Sequence, residues 1–147
     1  MIDRDTLCGL IPHAGAMCLL DSVINWNETE ISCLSETHSK SENPLRSANI
    51  LSSVMLIEYG AQAMAVHGGL LAREQQSKLS GGYLAALRNI KVVEGDMSAI
   101  EGPLRIDAKQ MMAQGGSMIY EFSIKINSNN ELLASGRATV IEMTNEG

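Results

Sequence analysis

The stretch Ile50-Leu51-Ser52-Ser53-Val54-Met55-Leu56-Ile57-Glu58-Tyr59-Gly60-Ala61-Gln62-Ala63-Met64-Ala65-Val66-His67-Gly68-Gly69-Leu70-Leu71-Ala72 decides how this chain folds. It is the longest apolar run, and its apolar residues fall on every side of a 3.6-residue turn. The spacing predicts a helix over 50–72 that is buried on nearly every side. The run is long enough to reach across a bilayer. Glu58, Gln62 and His67 interrupt it, however, and nothing else in the chain has membrane character, so no membrane span is expected.

Glu58 is the most informative residue in that run. A carboxylate inside an apolar helix is costly to bury unless it is paired, hydrogen-bonded or protonated. Burial would raise its pKa toward the range useful for acid–base chemistry. Gln62 lies one turn later, about 40° away around the axis. Val54, Met55, Ala61 and Ala65 flank the pair and could line a narrow slot. Two readings stay open: a reactive carboxyl with an amide that orients substrate or water, or a Glu–Gln pair that ties down a loop. His67 falls about 180° from Glu58 and is read as structural.

Working outward, the C-terminal half alternates with period two. Met118, Tyr120, Phe122, Ile124 and Ile126 share one face, and Leu104, Ile106 and Ala108 share another. Residues 82–93 and 131–143 add two strands, with Ser128-Asn129-Asn130 as the hairpin turn into the latter. Upstream, Leu19–Trp26 and Glu30–Ser35 are two shorter strands. The polar segment 39–49 reads as a loop into the helix. Consecutive strands favour an antiparallel sheet. One sheet covers a single side of a helix that is apolar all round. The sheet must curl round the helix, and a second subunit must close the rest. This is an α+β fold of the hotdog type, a long central helix wrapped by a curved antiparallel sheet, in one domain spanning residues 1–147.

The chain is 45% apolar and 19% charged, an ordinary globular composition. A net charge of −6 and the lack of a basic run argue against nucleic-acid binding. Nine methionines and few aromatics leave aliphatic and Met side chains to fill the core. Cys8, Cys18 and Cys33 are odd in number and lack CxxC spacing, so neither a disulfide framework nor a zinc site is expected, and a reducing, cytoplasmic setting fits. No basic, apolar leader opens the chain. No phosphate-binding, dinucleotide or nucleophile-elbow motif is present, so no cofactor or metal is expected. His13, in Ile11-Pro12-His13-Ala14-Gly15, and His38, in the loop before the helix, are the remaining candidates for proton transfer.

Pro12-His13-Ala14-Gly15-Ala16-Met17-Cys18-Leu19-Leu20-Asp21-Ser22-Val23 and Ile57-Glu58-Tyr59-Gly60-Ala61-Gln62-Ala63-Met64-Ala65 together resemble the bacterial 3-hydroxyacyl-carrier-protein dehydratases, in particular the divergent branch found in aryl-polyene-type gene clusters. The resemblance runs over almost the whole chain. It implies a dimer with active sites at the interface, and a Glu and a His that eliminate water. Glu58 matches the family's catalytic carboxylate. The common enzymes carry their His in a Gly-His-Phe-Pro-Gly loop, and the corresponding position here is Pro44. Either His13 or His38 takes that role, or dehydration is lost. The divergent branch keeps the Pro-His segment, which favours His13.

The expected reaction is loss of water from a 3-hydroxyacyl thioester to give the trans-2-enoyl product. His13 takes the α-proton and Glu58 protonates the departing hydroxyl. Backbone N–H groups near Ser47 to Leu51 hold the thioester oxygen. Gln62, Arg46 and His38 contact substrate. The partners are an acyl carrier protein, or coenzyme A, and a second copy of the chain, as a homodimer or a higher assembly of dimers. Arg46, Arg73, Lys78, Arg88 and Lys91 are the basic residues available to an acidic carrier. The rival readings are a hotdog thioesterase, with Glu58 activating water, and a non-catalytic acyl-binding subunit.

Overall fold

The structure is a computed structural model, and it describes residues 1–11, 17–74 and 82–142. A short helix α1 (Arg4–Cys8) opens the chain, capped by the Asp3 side chain on the Thr6 amide. Strands β1 (Ser22–Trp26) and β2 (Glu30–Ser35) follow, then helix α2 (Leu56–Glu74). Strands β3 (Gly82–Val92), β4 (Leu104–Gln114), β5 (Ser117–Ile126) and β6 (Leu132–Glu142) complete one antiparallel sheet in the order β1-β2-β4-β5-β6-β3. This is the expected hotdog arrangement, with α2 lying across β2, β4 and β5. The expected strands all form. Sequence reading missed α1, whose five residues carry too little periodicity to register.

The register explains how the sheet grips the helix. Ile31, Ala108, Phe122 and Gly136 form one row across β2, β4, β5 and β6, and Cys33, Ile106, Ile124 and Ala134 form the next. Seven of these eight belong to the apolar core, the exception being the glycine. The rows that alternate with them point away from the helix and are polar. Glu30, Lys109, Glu121, Arg137 and Arg88 stand side by side, with an ion pair of 2.6 Å between Arg137 and Glu121. Opposite charges on adjacent strands are favourable cross-strand neighbours.

Phe122, the chain's one phenylalanine, is wedged between two glycines. A Cβ on Gly60 of α2 would come within 2.7 Å of the Phe122 ring. One on Gly136 of β6 would come within 3.0 Å of it and within 2.3 Å of Ile90 Cδ1. The ring fills the space that side chains at both positions would need, so helix and sheet approach closely there.

Two expectations about the helix change. It starts at Leu56, after a 3₁₀ turn at Ser53–Met55, rather than at residue 50. Ala48 and Asn49 adopt φ of 52° and 64°, and Ser47 and Ile50 close a bridge between them, which breaks helical geometry. The helix is also not covered all round. Val54, Glu58 and Ala65 are exposed, with Ala61 and Gly68 half-buried between them, and the steps of three and four place these residues in one stripe. The opposite side, from Leu56 and Tyr59 to Val66, His67 and Leu70, is buried. No helix among the described residues is long and apolar enough to cross a membrane.

The candidate active site

Glu58 stands in the middle of the open stripe on α2. The expectation that its own helix environment buries it is corrected: it is exposed in the single chain, because the one sheet packs on the other side. It makes no hydrogen bond or ion pair among the described residues. The flanking residues do share its face, with Val54 and Ala65 exposed and Met55 and Ala61 half-buried.

Gln62 is buried and turned away from solvent. Its Oε1 accepts from the Leu19 amide at 2.8 Å, and its Nε2 donates to the Met17 carbonyl at 2.8 Å. It therefore clamps the segment before β1, the loop-tying alternative, with both the oxygen and the nitrogen of its amide bonded there. Leu19 is held from the other side as well. Its carbonyl accepts from Thr37 Oγ1 at 2.7 Å and from the Ser35 hydroxyl. The donors run in one direction: Asn43 Nδ2 donates to the Tyr59 hydroxyl at 3.0 Å, which bonds Thr37 Oγ1 at 2.8 Å. Burial pushes the Tyr59 hydroxyl above its usual pKa, so it keeps the proton this chain needs. Sequence reading did not single out Ser35, Thr37, Asn43 or Tyr59. Only Tyr59, beside Glu58 within the resembling motif, gave any signal.

His13 and Lys78 lie outside the described residues. His38 is fully buried, and its Nε2 donates to the Ile100 carbonyl at 2.9 Å. Its Nδ1 is buried without a partner. His38 sits beside Thr37, which bonds the buried Tyr59, and it forms no hydrogen bond or ion pair with Glu58. Arg46 is half-buried, and its Nε is also without a hydrogen-bond partner. His67 is buried as expected, with Nε2 at 2.9 Å from the Asn27 carbonyl and Nδ1 at 2.7 Å from the Tyr120 hydroxyl. Arg73, Arg88 and Lys91 are exposed. The amides from Ser47 to Leu51 do not open the helix. Ser47 and Ile50 bond each other, and the Leu51 amide donates to Asp96 Oδ1 at 2.9 Å. The 3₁₀ turn at Ser53–Met55 leads into the helix instead.

The cysteine expectation is overturned. Cys8 and Cys18 form a disulfide across a sequence separation of 10, joining α1 to the segment held by Gln62. Odd count and spacing hid it, because the two residues meet only when α1 docks. Cys33 is free, and burial pushes its thiol up to about 12.

Two predictions arise here. Gln62→Ala strands a buried amide and a carbonyl, and a stability loss of about 2–4 kcal/mol is expected by urea unfolding. Gln62→Glu, which can still accept from Leu19, should recover part of it; equal losses would show that the clamp is unimportant. Burial also holds both His38 and His67 below the ordinary histidine pKa. The fold favours their neutral forms. That stability is complete above the unfolded value of about 6.5 and is lost as pH falls toward the folded values. Tm should stay level from about pH 8 to 7 and drop below about pH 6.5 in a thermal-shift series. A Tm that rises on acidification would contradict the burial of these rings.

Comparison with known proteins places this geometry. The chain is similar to a solved structure titled the dehydratase heterocomplex ApeI:P from Xenorhabdus doucetiae, with 20% identity over 94% of this chain and 91% of the other and a TM-score of 0.81. It is more distantly similar to a hypothetical thioesterase with coenzyme A from Streptococcus pneumoniae, with 9% identity, coverage of 86% and 88% and a TM-score of 0.60. The E. coli PaaI protein from the phenylacetic acid degradation operon shows 13% identity, 82% coverage of each chain and a TM-score of 0.59. No curated protein sequence matches the chain. These likenesses establish a hotdog framework. The chain belongs to the ApeP-like family, described as ApeP dehydratase, whose model matches residues 6–146. It is a dehydratase-type hydro-lyase.

Proposed function

We propose that this protein removes water from a 3-hydroxyacyl thioester carried by an acyl carrier protein, in the cytoplasm, on the way to a polyene or fatty acyl chain. The observation that carries the reading is Glu58, the one ionisable side chain on the open stripe of α2, at the position of the family's acid. A histidine base abstracts the proton at C2, electrons move to form the C2–C3 double bond, and Glu58 protonates the hydroxyl that leaves C3 as water. His13 is the proposed base. The anchoring of Met17 and Leu19 by Gln62 supports it, since these residues follow His13 closely in the sequence. His38 is the weaker candidate, being buried and bonded to Ile100. The N–H groups at Ser53 and Val54 are the proposed donors to the thioester oxygen. Family membership favours elimination over hydrolysis.

A second copy of the chain is the proposed cover for Glu58. Edge strand β3 supports it, with Leu84, Leu87 and Val92 exposed along an edge that has no neighbouring strand among the described residues. The purified protein should scatter light as a dimer at micromolar concentration. A monomer would shift the cover to a different partner subunit, as in the heterocomplex it resembles. The reaction itself is tested with a 3-hydroxyacyl carrier thioester, following enoyl product and free thiol together. Enoyl formation without thiol release is expected. Thiol release alone would replace the dehydratase reading with a thioesterase.

A further inference from the structure

We propose that Cys8 and Cys18 are a reversible redox pair whose bond sets how firmly the segment at Met17–Leu19 is held against the candidate active site. The proposal rests on the dehydratase reading above. Three observations join the bond to the site. Cys18 lies between Met17 and Leu19, the two residues that Gln62 grips, so the half-cystine sits at the middle of the clamp. Gln62 is one turn beyond Glu58 on the same helix. The other half-cystine, Cys8, is the last residue of α1, so the bond ties an otherwise peripheral helix to that clamp.

The bond is also placed to be reversible. A chain of this size with an extensive apolar core does not need a staple to fold. A protein acting on carrier-bound thioesters works among cellular thiols, where disulfides are transient and serve redox sensing or catalysis. Cys18 is fully buried, whereas Cys8 is partly exposed. Attack therefore enters at Cys8. A thiolate of a dithiol reductant bonds to Cys8 Sγ, the S–S bond breaks, and Cys18 leaves as a thiolate and takes a proton. The second thiol of the reductant then displaces Cys8, leaving two protein thiols and one oxidised reductant. Cys33 does not compete, because it is buried in the sheet. Reduction loosens the segment without undocking α1. In the bonded structure Arg4 donates to the Cys18 carbonyl at 2.7 Å and to the Leu20 carbonyl at 2.8 Å, ties that do not depend on the disulfide.

The test uses the full chain, first oxidised and then reduced with dithiothreitol. Two quantities are read in each state: hydrogen exchange at the Leu19 amide and the dehydration rate. Reduction should speed Leu19 exchange by roughly 100-fold, the loss expected on opening a loop of this length. The dehydration rate should fall by about 10- to 100-fold, as for a misplaced site. Reoxidation should restore both, and Cys8→Ser should behave as the reduced protein does in either buffer. Unchanged Leu19 exchange on reduction would overturn the proposal. So would altered exchange with an unchanged rate, or alkylation showing that Cys8 and Cys18 stay free under oxidant. If neither state dehydrates the thioester, the dehydratase reading fails, and the exchange measurement still decides whether the clamp responds to the bond.

Discussion

Glu58→Gln is expected to lower the dehydration rate by about 10²–10⁴-fold while leaving the fold intact, the usual range for removing a positioned acid. The two halves of this expectation have separate causes. Glu58 is exposed on the open stripe of α2 and bonds nothing else among the described residues, so the neutral amide costs little in the folded monomer. The amide keeps the shape of the carboxyl but has no acidic proton to give to a departing hydroxyl. Steady-state rates on the carrier thioester, with a melting curve for each protein, provide the check. A folded variant that still turns over would move the acid to another residue. A variant that fails to dimerise would show that the carboxyl also belongs to the interface.

Phe122→Ala is expected to cost about 3–5 kcal/mol, the range for emptying a buried aromatic site. Tm should fall on the order of 10 °C. The loss should lie at the upper end because the walls cannot close in. Gly60 and Gly136 present backbone to the ring and have no side chains that could relax into the gap. Gly136→Ala tests the same wedge from the opposite direction. Its new Cβ would meet Ile90 Cδ1 at 2.3 Å, and overpacking of about 1–3 kcal/mol is expected. Denaturant unfolding would measure both. A cost below about 1 kcal/mol for Phe122→Ala would mean that the helix slides to fill the space.

Much of the fold was legible because its signals are periodic. β2 matches its expected limits, and β3, β5 and β6 fall within a residue or so of the expected segments, whereas β1 starts three residues later and β4 runs five residues beyond Lys109. The helix was legible in type but not in surroundings. Its apolar pattern runs all round, whereas the single chain leaves one stripe uncovered because its one sheet packs on the other side. The site was less legible, because its supports join distant parts of the sequence through backbone atoms. Gln62 holds Met17 and Leu19 by their carbonyl and amide, which no side-chain pattern announces. The Cys8–Cys18 bond was hidden for the same reason, since it depends on the docking of a five-residue helix. Glu58 stood out because one charge in an apolar run breaks a strong local pattern.

The wedge at Phe122 also carries an evolutionary consequence. Residues 60, 90, 122 and 136 come from α2, β3, β5 and β6, yet they share one small volume. None of them can change size alone without cost, so their histories should be linked. A relative with alanine or serine at position 60 should carry a smaller residue at 122. One with a side chain at 136 should have shortened residue 90 as well. The four positions should therefore drift as a group, and a new acyl pocket could open beneath the helix by exchanging them together.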